Sequence, residues 1–427
     1  MRIRDFVSQL EAAGDLATVD HEVSPEAVPL MIKAEEEGRN RAIRFAKIGG
    51  HDMPLVANLY GSYARYGRAV GAGEEEMIAH IQHAIANPAP AALGDDTPCF
   101  EVVHEDPDIT SLLPMIKYHP LDGGPYITSA IVFMKDPDSG RRNISFIRFM
   151  VMGPRQLGFN PKSVHNKAYY EKIALAGRRM EVAFCLGAPT EMAAAAAQWI
   201  PDDRDEVEVA MAMGDAQHLN ELAMAKCRTV DIEVPAGSEI VVEGVVSTDL
   251  EAEGPFGDWT GTYARPRMNP TLEVTSVSHR RDAVYQTILP GDSMEQIILT
   301  IVRFQPEIDD LARRFTEIGR VAVPFYGLGR LAIVSAGQSG RIEELTRAFL
   351  AVQSINRVIV VNEDVDVDNA EDVLWALTNR IHAPEKVIAE ACEDEWLNNL
   401  KLGIDTTVDL EDIRYQRTTL KPFQGRR

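Results

Sequence analysis

The chain has 427 residues, more than one ordinary hydrophobic core holds, so two or three domains are expected. Its formal net charge of -22 and pI near 4.9 argue against a nucleic-acid partner, because phosphate backbones are bound by clustered lysines and arginines. The four scattered cysteines form no CxxC pair, and no apolar run approaches the roughly 20 residues that span a bilayer, so we expect a cytoplasmic protein without disulfides or a thiolate metal site.

Residues 1–98 are expected to form an N-terminal α/β region. Ile3, Phe6 and Leu10 recur at the spacing of three and four that predicts an opening helix. The further predicted elements are a helix at 25–37, a short strand at 54–57 and a helix at 74–86. The proline-rich segment 87–92 then ends the region, since each proline removes a backbone donor and disfavours helix before it.

Residues 99–300 are predicted to be rich in strands. β-branched and aromatic residues are dense in five segments: 127–134, 143–152, 179–186, 239–246 and 271–278. An alanine-rich helix that starts near Glu191 interrupts them. This pattern is typical of a barrel or a sandwich with inserted helices.

Residues 301–427 change to an α/β pattern. A helix at 341–352 precedes the continuous apolar strand 357–361, and another helix runs through 374–377. A separate C-terminal domain is therefore expected. The polar and basic tail from Leu410 onward is predicted to be an arm or an exposed helix.

The densest chemical signal is the segment Glu251–Trp259. Within it, Glu253 and Asp258 flank a Gly-Pro-Phe-Gly turn. Glycine lets backbone or ligand approach closely and proline fixes the turn, so the loop can aim both carboxylates at one point, as general acid–base catalysis requires. A solvated acidic turn would contain the same residues, and composition alone does not decide between the two.

A second segment places Asn143 and Arg148 within one apolar strand. Strand alternation puts residues five apart on opposite faces, so the two serve one site only if the strand bends or a ligand crosses its edge. An arginine there needs an anionic partner. That partner is either a structural carboxylate or a bound carboxylate or phosphate ligand.

His165 and the acidic pair Glu206 and Glu208 complete a candidate set with Asn143. Amide and carboxylate oxygens with one imidazole suit Mn²⁺ or Mg²⁺ better than Zn²⁺. Their spacing alone does not predict a metal, and it leaves open which glutamate would serve.

Together these segments resemble the UbiD family of prenylated-flavin decarboxylases. The similarity covers most of the chain, in the segments Asn143–Arg148, Lys226–Ala236, Glu239–Gly244, Glu253–Asp258, Asp364–Arg380 and Gly403–Thr407. Of these, Glu253–Asp258 matches the family signature Glu-Gly-Pro-Phe/Tyr-Gly-Asp/Glu. So many matches in the same order make the resemblance specific.

The resemblance implies a mixed α+β fold in three parts. A central split β-barrel at 99–300 would bind flavin, between the α/β region 1–98 and a C-terminal α/β oligomerisation domain with its tail at 301–427. It further implies prenylated FMN (prFMN) held by Mn²⁺ or Mg²⁺, with K⁺ nearby. A flavin prenyltransferase would supply the cofactor, and the chain would form a homodimer or a hexamer.

The resemblance also implies residue roles. The catalytic set would be Arg148, Glu253 and Asp258. The metal ligands would be Asn143, His165 and Glu208, and these would bind the cofactor together with Phe146, Ile147 and Arg148. Glu208 is preferred to Glu206 because Glu208–Ala212 is similar to the family's Glu-x-Ala-x-Ala run, and Asp258 is preferred to Glu253 as proton donor.

The implied reaction is the reversible, non-oxidative decarboxylation of an aromatic, heteroaromatic or α,β-unsaturated carboxylic acid. Loss of carbon dioxide from an sp² carbon leaves a carbanion, which needs an electron sink that only a cofactor supplies. The segment 149–160 lacks the arginine-rich stretch of the polyprenyl-hydroxybenzoate enzyme. A smaller acid is therefore expected, in a pocket shaped by Trp259, Thr260 and Leu289–Pro290.

Two other functions are compatible with the sequence. A flavin-dependent oxidoreductase on a split barrel would make the carboxylate pair incidental, and it would contain ordinary flavin reduced by NAD(P)H. A non-catalytic subunit of a multi-subunit carboxylase would bind cofactor without turning over acid by itself.

Overall fold

The structure, a computed structural model, describes residues 1–161, 164–214, 222–392 and 400–418. The chain divides into two compact units, Met1–Leu299 and Thr300–Arg427. The further division of the first unit at residue 98 stays a prediction. No helix in these described ranges combines the length and the apolar character needed to cross a membrane.

The helices that begin in the first unit include those predicted near 3, 25, 74 and 191. In chain order they are α1 Ile3–Ala12, α2 Ala27–Gly38, α3 Tyr63–Ala69, α4 Met77–Ala86, α5 Ile109–Leu112, α6 Val164–Leu175, α7 Thr190–Ala196, α8 Glu206–Met213 and α9 Met294–Ile301. As the apolar spacing predicted, α1 buries Ile3, Phe6 and Leu10.

The strands of the first unit outnumber its helices among the described residues. They are β1 Leu16–Val23, β2 Ala42–Ile48, β3 Leu55–Ala57, β4 Val102–His104, β5 Tyr126–Ile127, β6 Ile131–Lys135, β7 Arg142–Phe146, β8 Phe149–Val151, β9 Gln156–Phe159, β10 Met180–Leu186, β11 Met224–Lys226, β12 Glu233–Pro235, β13 Ile240–Glu253, β14 Phe256–Gly257, β15 Tyr263–Ala264, β16 Arg267–His279 and β17 Tyr285–Gln286. The strand-rich prediction for this region is confirmed.

The largest sheet of the first unit runs in the order β5-β8-β9-β16-β13-β10-β6-β7, with β4 paired to β16. Its longest strands, β13 and β16, pair antiparallel with register breaks after Glu243 and after Val246. Such irregularities increase local bend and twist, and the sheet curls into a half-barrel. The predicted split barrel is thereby confirmed.

The core of the first unit packs against this sheet. Phe149 packs its ring against those of Phe184 and Phe159, with centroids 4.6 and 5.9 Å apart. A second sheet, β1-β2-β3-β17, contributes Phe45, Leu55 and other buried residues to the same core. Strand β17 thus joins the end of the barrel region to the N-terminal strands.

The strand predicted at 143–152 is broken into β7 and β8. Ile147 and Arg148 lie between them, and the Ile147 amide donates to Ala130 O at 3.0 Å. Beyond the break, Phe149 pairs with β5 and β9 instead of β6. This change of partner strand bends the chain, so Arg148 lies at a corner and the strict alternation between Asn143 and Arg148 does not apply.

The second unit is an α/β domain, as predicted. Its helices are α10 Gln305–Arg314, α11 Ile342–Ala351 and α12 Ala370–Asn379, and its strands are β18 Ile318–Ala322, β19 Leu331–Ala336, β20 Arg357–Val361, β21 Val387–Ala391 and β22 Leu400–Asp405. The sheet order is β18-β19-β20-β22-β21, with the three central strands parallel. Ile333 and Val334 belong to separate hydrophobic clusters, since successive strand residues face opposite sides of a covered sheet.

The described part of the tail contains a short 3₁₀ turn, Ile413–Tyr415. Residues 419–427, which the sequence assigned to an arm or an exposed helix, lie outside the described residues.

Candidate active site

An open cleft with about 510 Å³ of empty space lies at the corner between β7 and β8. It is lined by Thr128, Phe146, Ile147, Arg148, Phe256, Asp258, Ile288, Pro290 and Gln296. Four of these, Phe146, Ile147, Arg148 and Asp258, are site residues predicted from the sequence. Pro290 was expected in the pocket wall, whereas its predicted companions Trp259, Thr260 and Leu289 are not among the lining residues.

Arg148 and Glu253 form an ion pair beside this cleft. The Nε and Nη2 atoms of Arg148 donate to the two carboxylate oxygens of Glu253 at 3.1 and 3.3 Å. The guanidinium also lies over the Phe256 ring, 4.4 Å from its centroid. Glu253 is 2% exposed, so its charge is compensated by this pairing and not by water.

Glu253 has a second donor that sequence reasoning missed. The Asn269 side chain donates from Nδ2 to Glu253 Oε2 at 3.1 Å. Where β13 pairs with β16, Asn269 lies directly opposite Glu251. Glu253 lies two residues further along β13 and on the same face as Glu251, so the Asn269 side chain reaches it diagonally. Burial, with Glu253 nearby, raises the pKa of Tyr126 far above its ordinary value.

Asp258 reaches the cleft from the turn after β14. Its Oδ2 atom lies 3.8 Å from Arg148 Nη1, and its Oδ1 atom accepts from the Trp259 amide at 2.9 Å. The Asp258 amide donates to Thr262 O, which closes the turn. The structure therefore brings all three predicted catalytic residues together, with Asp258 facing the cleft and Glu253 behind Arg148.

The signature loop is held by two residues that sequence reasoning also missed. Asp122 accepts from the Gly257 amide and from the His119 amide, each at 2.8 Å. The His119 ring, through Nε2, lies 3.0 Å from Pro290 O across the cleft wall. A Cβ at residue 257 would overlap the His119 ring, so glycine is required there for close approach, as the sequence suggested.

Asn143 and His165, two of the three predicted metal ligands, are in contact. His165 Nδ1 lies 2.9 Å from Asn143 Oδ1, and His165 Nε2 lies 2.7 Å from Asp202 Oδ1. The amide group of Asn143 donates to Asn166 Oδ1 at 2.6 Å, which leaves its oxygen as the acceptor towards His165. In the described part of the chain, no group of three or more His, Cys, Asp or Glu residues could hold a metal, so the candidate site depends on this amide oxygen.

The two candidate glutamates of α8 differ in burial and in what surrounds them. Glu206 begins α8 and is 5% exposed, with the backbone of Ile144, the neighbour of Asn143, close to its carboxyl group. Its Oε2 atom is buried with no hydrogen-bond partner among the described residues, and burial raises its pKa to about 7. Glu208 is half-buried and two positions further along the helix, roughly 200° around its axis. Burial thus makes Glu206 a candidate ligand beside Glu208, and the choice between the two glutamates stays a prediction.

Comparison with protein families finds one carboxy-lyase family along the chain. The model of the 3-octaprenyl-4-hydroxybenzoate carboxy-lyase Rift-related domain matches residues 92–293. The N-terminal and C-terminal domain models of the same carboxy-lyase match residues 7–85 and 303–392.

Curated relatives include two decarboxylases. The anhydromevalonate phosphate decarboxylase of Methanothermobacter thermautotrophicus is 29% identical over 384 residues, covering 86% of this chain and 89% of that protein. The phenolic acid decarboxylase of a Streptomyces species is 29% identical over 415 residues, covering 90% of this chain and 85% of that protein.

Among solved structures, the chain resembles an evolved dimeric form of the UbiD-class enzyme HmfF from Pelotomaculum thermopropionicum in complex with prFMN. The TM-score is 0.86 at 30% identity, covering 98% of this chain and 97% of that one. The fold is thus shared with a structural class known from cofactor-bound members.

Proposed function

The chain belongs to the UbiD family of carboxy-lyases, and on that premise we propose that it catalyses the reversible, non-oxidative decarboxylation of an aromatic, heteroaromatic or α,β-unsaturated carboxylic acid. The observation that carries the proposal is the group of Arg148, Glu253 and Asp258 at one open cleft. A cation that binds a carboxylate and an acid that returns a proton are the two protein groups that this reaction needs.

The proposed cofactor is prFMN, by analogy with the cofactor in the related HmfF structure. When bound, it would supply the electron sink that a departing carbon dioxide requires. Phe146, Ile147 and Arg148 line the cleft and are the proposed contacts from the chain.

The proposed metal ligands are Asn143, His165 and Glu206. An amide oxygen, an imidazole nitrogen and a buried carboxylate suit Mn²⁺ or Mg²⁺. The buried Oε2 atom of Glu206, which has no hydrogen-bond partner in the described structure, supports its place in this set instead of Glu208. A cation there would compensate a carboxylate that burial otherwise keeps partly protonated.

Arg148 is proposed to orient the substrate carboxylate. Two of its three nitrogens donate to Glu253, which fixes the plane of the guanidinium. The Nη1 atom is directed to the side where Asp258 lies, 3.8 Å away. Glu253 thus acts through Arg148 and holds it for the substrate.

Asp258 is proposed to protonate the substrate carbon after carbon dioxide leaves. It lines the cleft, whereas Glu253 already accepts from Arg148 and Asn269. The carboxylic acid form of Asp258 would give its proton to the carbon and regain one from water. Glu253 remains the second candidate for this step.

Three further parts of the proposal rest on the family resemblance. They are a K⁺ ion near the divalent metal, a flavin prenyltransferase as the source of the cofactor, and a homodimer or hexamer as the assembly.

The proposal is tested on protein co-expressed with a flavin prenyltransferase and purified without oxygen. We expect the mass and absorption spectrum of prFMN, and carbon dioxide release from at least one aromatic or acrylic acid. Glu253→Gln should lower this release at least about a hundredfold, since the loss of a catalytic carboxylate has effects of that order. Glu251→Gln, an exposed change on the same strand, should leave it unchanged.

Each rival function predicts another outcome. If the purified protein contains ordinary FMN that NAD(P)H reduces, the chain is a flavin-dependent oxidoreductase and not a decarboxylase. The chain is a carboxylase subunit if it binds prFMN but releases carbon dioxide from an acid only after a second protein is added.

A further inference from the structure

The hydrogen bonds around Asn143 determine which atom of its amide faces His165. Asn143 and Ser145 lie two residues apart on β7 and therefore on the same face of the strand. The buried Asn166 side chain contacts both of them. Its Oδ1 atom accepts from Asn143 Nδ2 at 2.6 Å, and its Nδ2 atom donates to Ser145 Oγ at 2.8 Å. The amide nitrogen of Asn143 is thereby occupied, and its Oδ1 atom lies 2.9 Å from His165 Nδ1.

The opposite edge of the His165 ring contacts Asp202. The Nε2 atom of the ring lies 2.7 Å from Asp202 Oδ1. An ionised carboxylate accepts hydrogen bonds and donates none, so Nε2 is the ring nitrogen that carries the proton. In the neutral ring the lone pair is then on Nδ1, the nitrogen that faces Asn143. Asp202 thus selects the form of His165 in which Nδ1 is able to bind a cation.

The contact between Asn143 and His165 has the dimensions of a pair of metal ligands. Ligands at right angles on a six-coordinate ion, each about 2.1 Å from it, lie about 3 Å apart. The 2.9 Å between Asn143 Oδ1 and His165 Nδ1 matches this separation. With the ring proton on Nε2, neither atom offers the other a proton. A cation bound to both atoms satisfies them together.

The turn before α8 places Asp202 at the ring. The Arg204 amide donates to Pro201 O at 2.9 Å, which closes the turn. At its end, Asp205 pairs with Arg142 of β7 at 2.8 Å and ties the turn to the strand of the candidate site. The Asp202 side chain is 83% exposed, and an exposed ion pair contributes little to stability. A substitution of Asp202 is therefore expected to leave the fold intact.

We propose that Asp202 is a positioning residue for the metal site: it accepts from His165 Nε2, orients the ring and presents Nδ1 to a divalent ion that Asn143 also binds. Histidine ligands commonly donate their second N–H to a carboxylate, which fixes the ring and raises the basicity of the ligand. Asp202 acts through His165 and is not itself a ligand. This inference rests on the proposed metal ligands and adds a residue that sequence reasoning did not select.

The experiment measures the Mn²⁺ that the full-length, cofactor-loaded protein retains after dialysis against graded Mn²⁺. Asp202→Ala removes the acceptor at Nε2, so the affinity should fall roughly tenfold to a hundredfold. Asp202→Asn keeps an acceptor oxygen without the charge and should lose less. Asp203→Ala is the matched control, because it removes the same charge from the next residue of the turn, whose side chain is 79% exposed. Its affinity should equal that of the wild type.

Pulsed electron paramagnetic resonance of the bound Mn²⁺ gives a second readout, which a change of surface charge alone would not alter. A coordinated imidazole nitrogen couples to the electron spin of the ion. The nitrogen coupling should be present in the wild type and in Asp203→Ala. In Asp202→Ala, at a Mn²⁺ concentration that fills the site, it should be weaker or lost.

Two results would overturn the inference. The first is wild-type affinity and nitrogen coupling in Asp202→Ala, and the second is an equal loss of affinity in Asp203→Ala, which would show a general effect of charge. Asn143→Ala tests the ligand set beneath the inference: if this variant retains Mn²⁺ as the wild type does, the set is wrong and the role of Asp202 falls with it. Carbon dioxide release by the same wild-type preparation is measured in parallel, so the decarboxylase proposal is judged separately.

Discussion

At the scale of single residues, the site depends on how a buried carboxylate is kept in place. Glu253 accepts from Arg148 at both oxygens and from Asn269 at one of them. Three donors fix the carboxylate plane, and the carboxylate in turn fixes the guanidinium. A small displacement of the Glu253 carboxylate would also displace the guanidinium that is proposed to bind substrate, and positioning errors of about 1 Å are costly in catalysis.

Asn269 is therefore expected to be a positioning residue. Asn269→Leu keeps a similar volume but removes the donor to Glu253. Since a hydrogen bond to a charged group contributes about 1.5–3 kcal/mol, kcat for decarboxylation should fall roughly tenfold to a hundredfold, with KM changed less. Asn269→Ser, which retains a shorter donor, should recover part of the loss.

Steady-state kinetics of the loaded enzyme check this expectation. Ser276→Ala serves as the control, because Ser276 is a fully buried polar residue on the same strand whose hydroxyl makes no hydrogen bond among the described residues. An equal kcat loss in both variants would mean that Asn269 supports only the fold.

Sequence reasoning found some of these residues and missed others for a physical reason. Glu253 and Asp258 flank a turn within six residues, so local spacing identifies them. Asn269 and His119 reach the site through strand register and loop packing, and neither is encoded in a short segment. One signal could have pointed to Asn269: it is a polar residue within the strand that pairs with the strand leading into the signature segment.

At the scale of secondary-structure elements, the metal candidate depends on which face of α8 points inward. Asp205 caps the helix by accepting from the Val207 amide at 2.8 Å, and its other oxygen pairs with Arg142 of β7 at 2.8 Å. These contacts fix the rotation of the first turn. Glu206 consequently lies on the buried side of this turn, whereas Glu208 is half-buried.

The two glutamates give a matched test on one helix. Glu206→Gln removes the proposed anionic ligand while nearly preserving shape, so Mn²⁺ affinity should fall at least about tenfold. Glu208→Gln should leave it unchanged. The measurement is the metal content after dialysis against graded Mn²⁺, with the electron paramagnetic resonance spectrum of the bound ion as a second readout.

The opposite ranking, with Glu208→Gln losing metal and Glu206→Gln retaining it, would restore the expectation drawn from the resemblance. Equal retention in both variants would remove α8 from the metal site altogether.

Elements themselves were predicted well where their pattern is local. The strand Arg357–Val361 has the predicted bounds, and α11 lies within one residue of its predicted ends. The break between β7 and β8 was not predicted, because apolar content continues through it. It arises from exchange of partner strands, which is a tertiary effect.

At the scale of the whole molecule, composition indicated the change from a strand-rich region to an α/β domain. It could not indicate that β17 returns to pair with β3 in the N-terminal sheet. This pairing joins segments about 230 residues apart, and its position depends on the fold of everything between. The same junction contains Glu295 of α9, which accepts from the amides of Asn58 and Tyr60 at 2.9 and 3.0 Å.

Glu295 should make the stability of the protein depend on pH. It is 1% exposed, and burial raises its pKa from 4.5 to about 7. Because the folded state holds the proton more tightly than the unfolded state, its stabilising contribution is complete below pH 4.5 and is lost as pH rises to about 7. The shift corresponds to at most about 3 kcal/mol.

Glu295→Gln removes this titration, so the urea midpoint of the variant relative to wild type should rise between pH 5 and about 7 and then level off. Glu307→Gln, an exposed change on α10, is the control for a lost charge. If the relative urea midpoint of Glu295→Gln changes no more with pH than that of this control, the prediction is wrong. That result would show that the Asn58 and Tyr60 amides keep Glu295 ionised throughout.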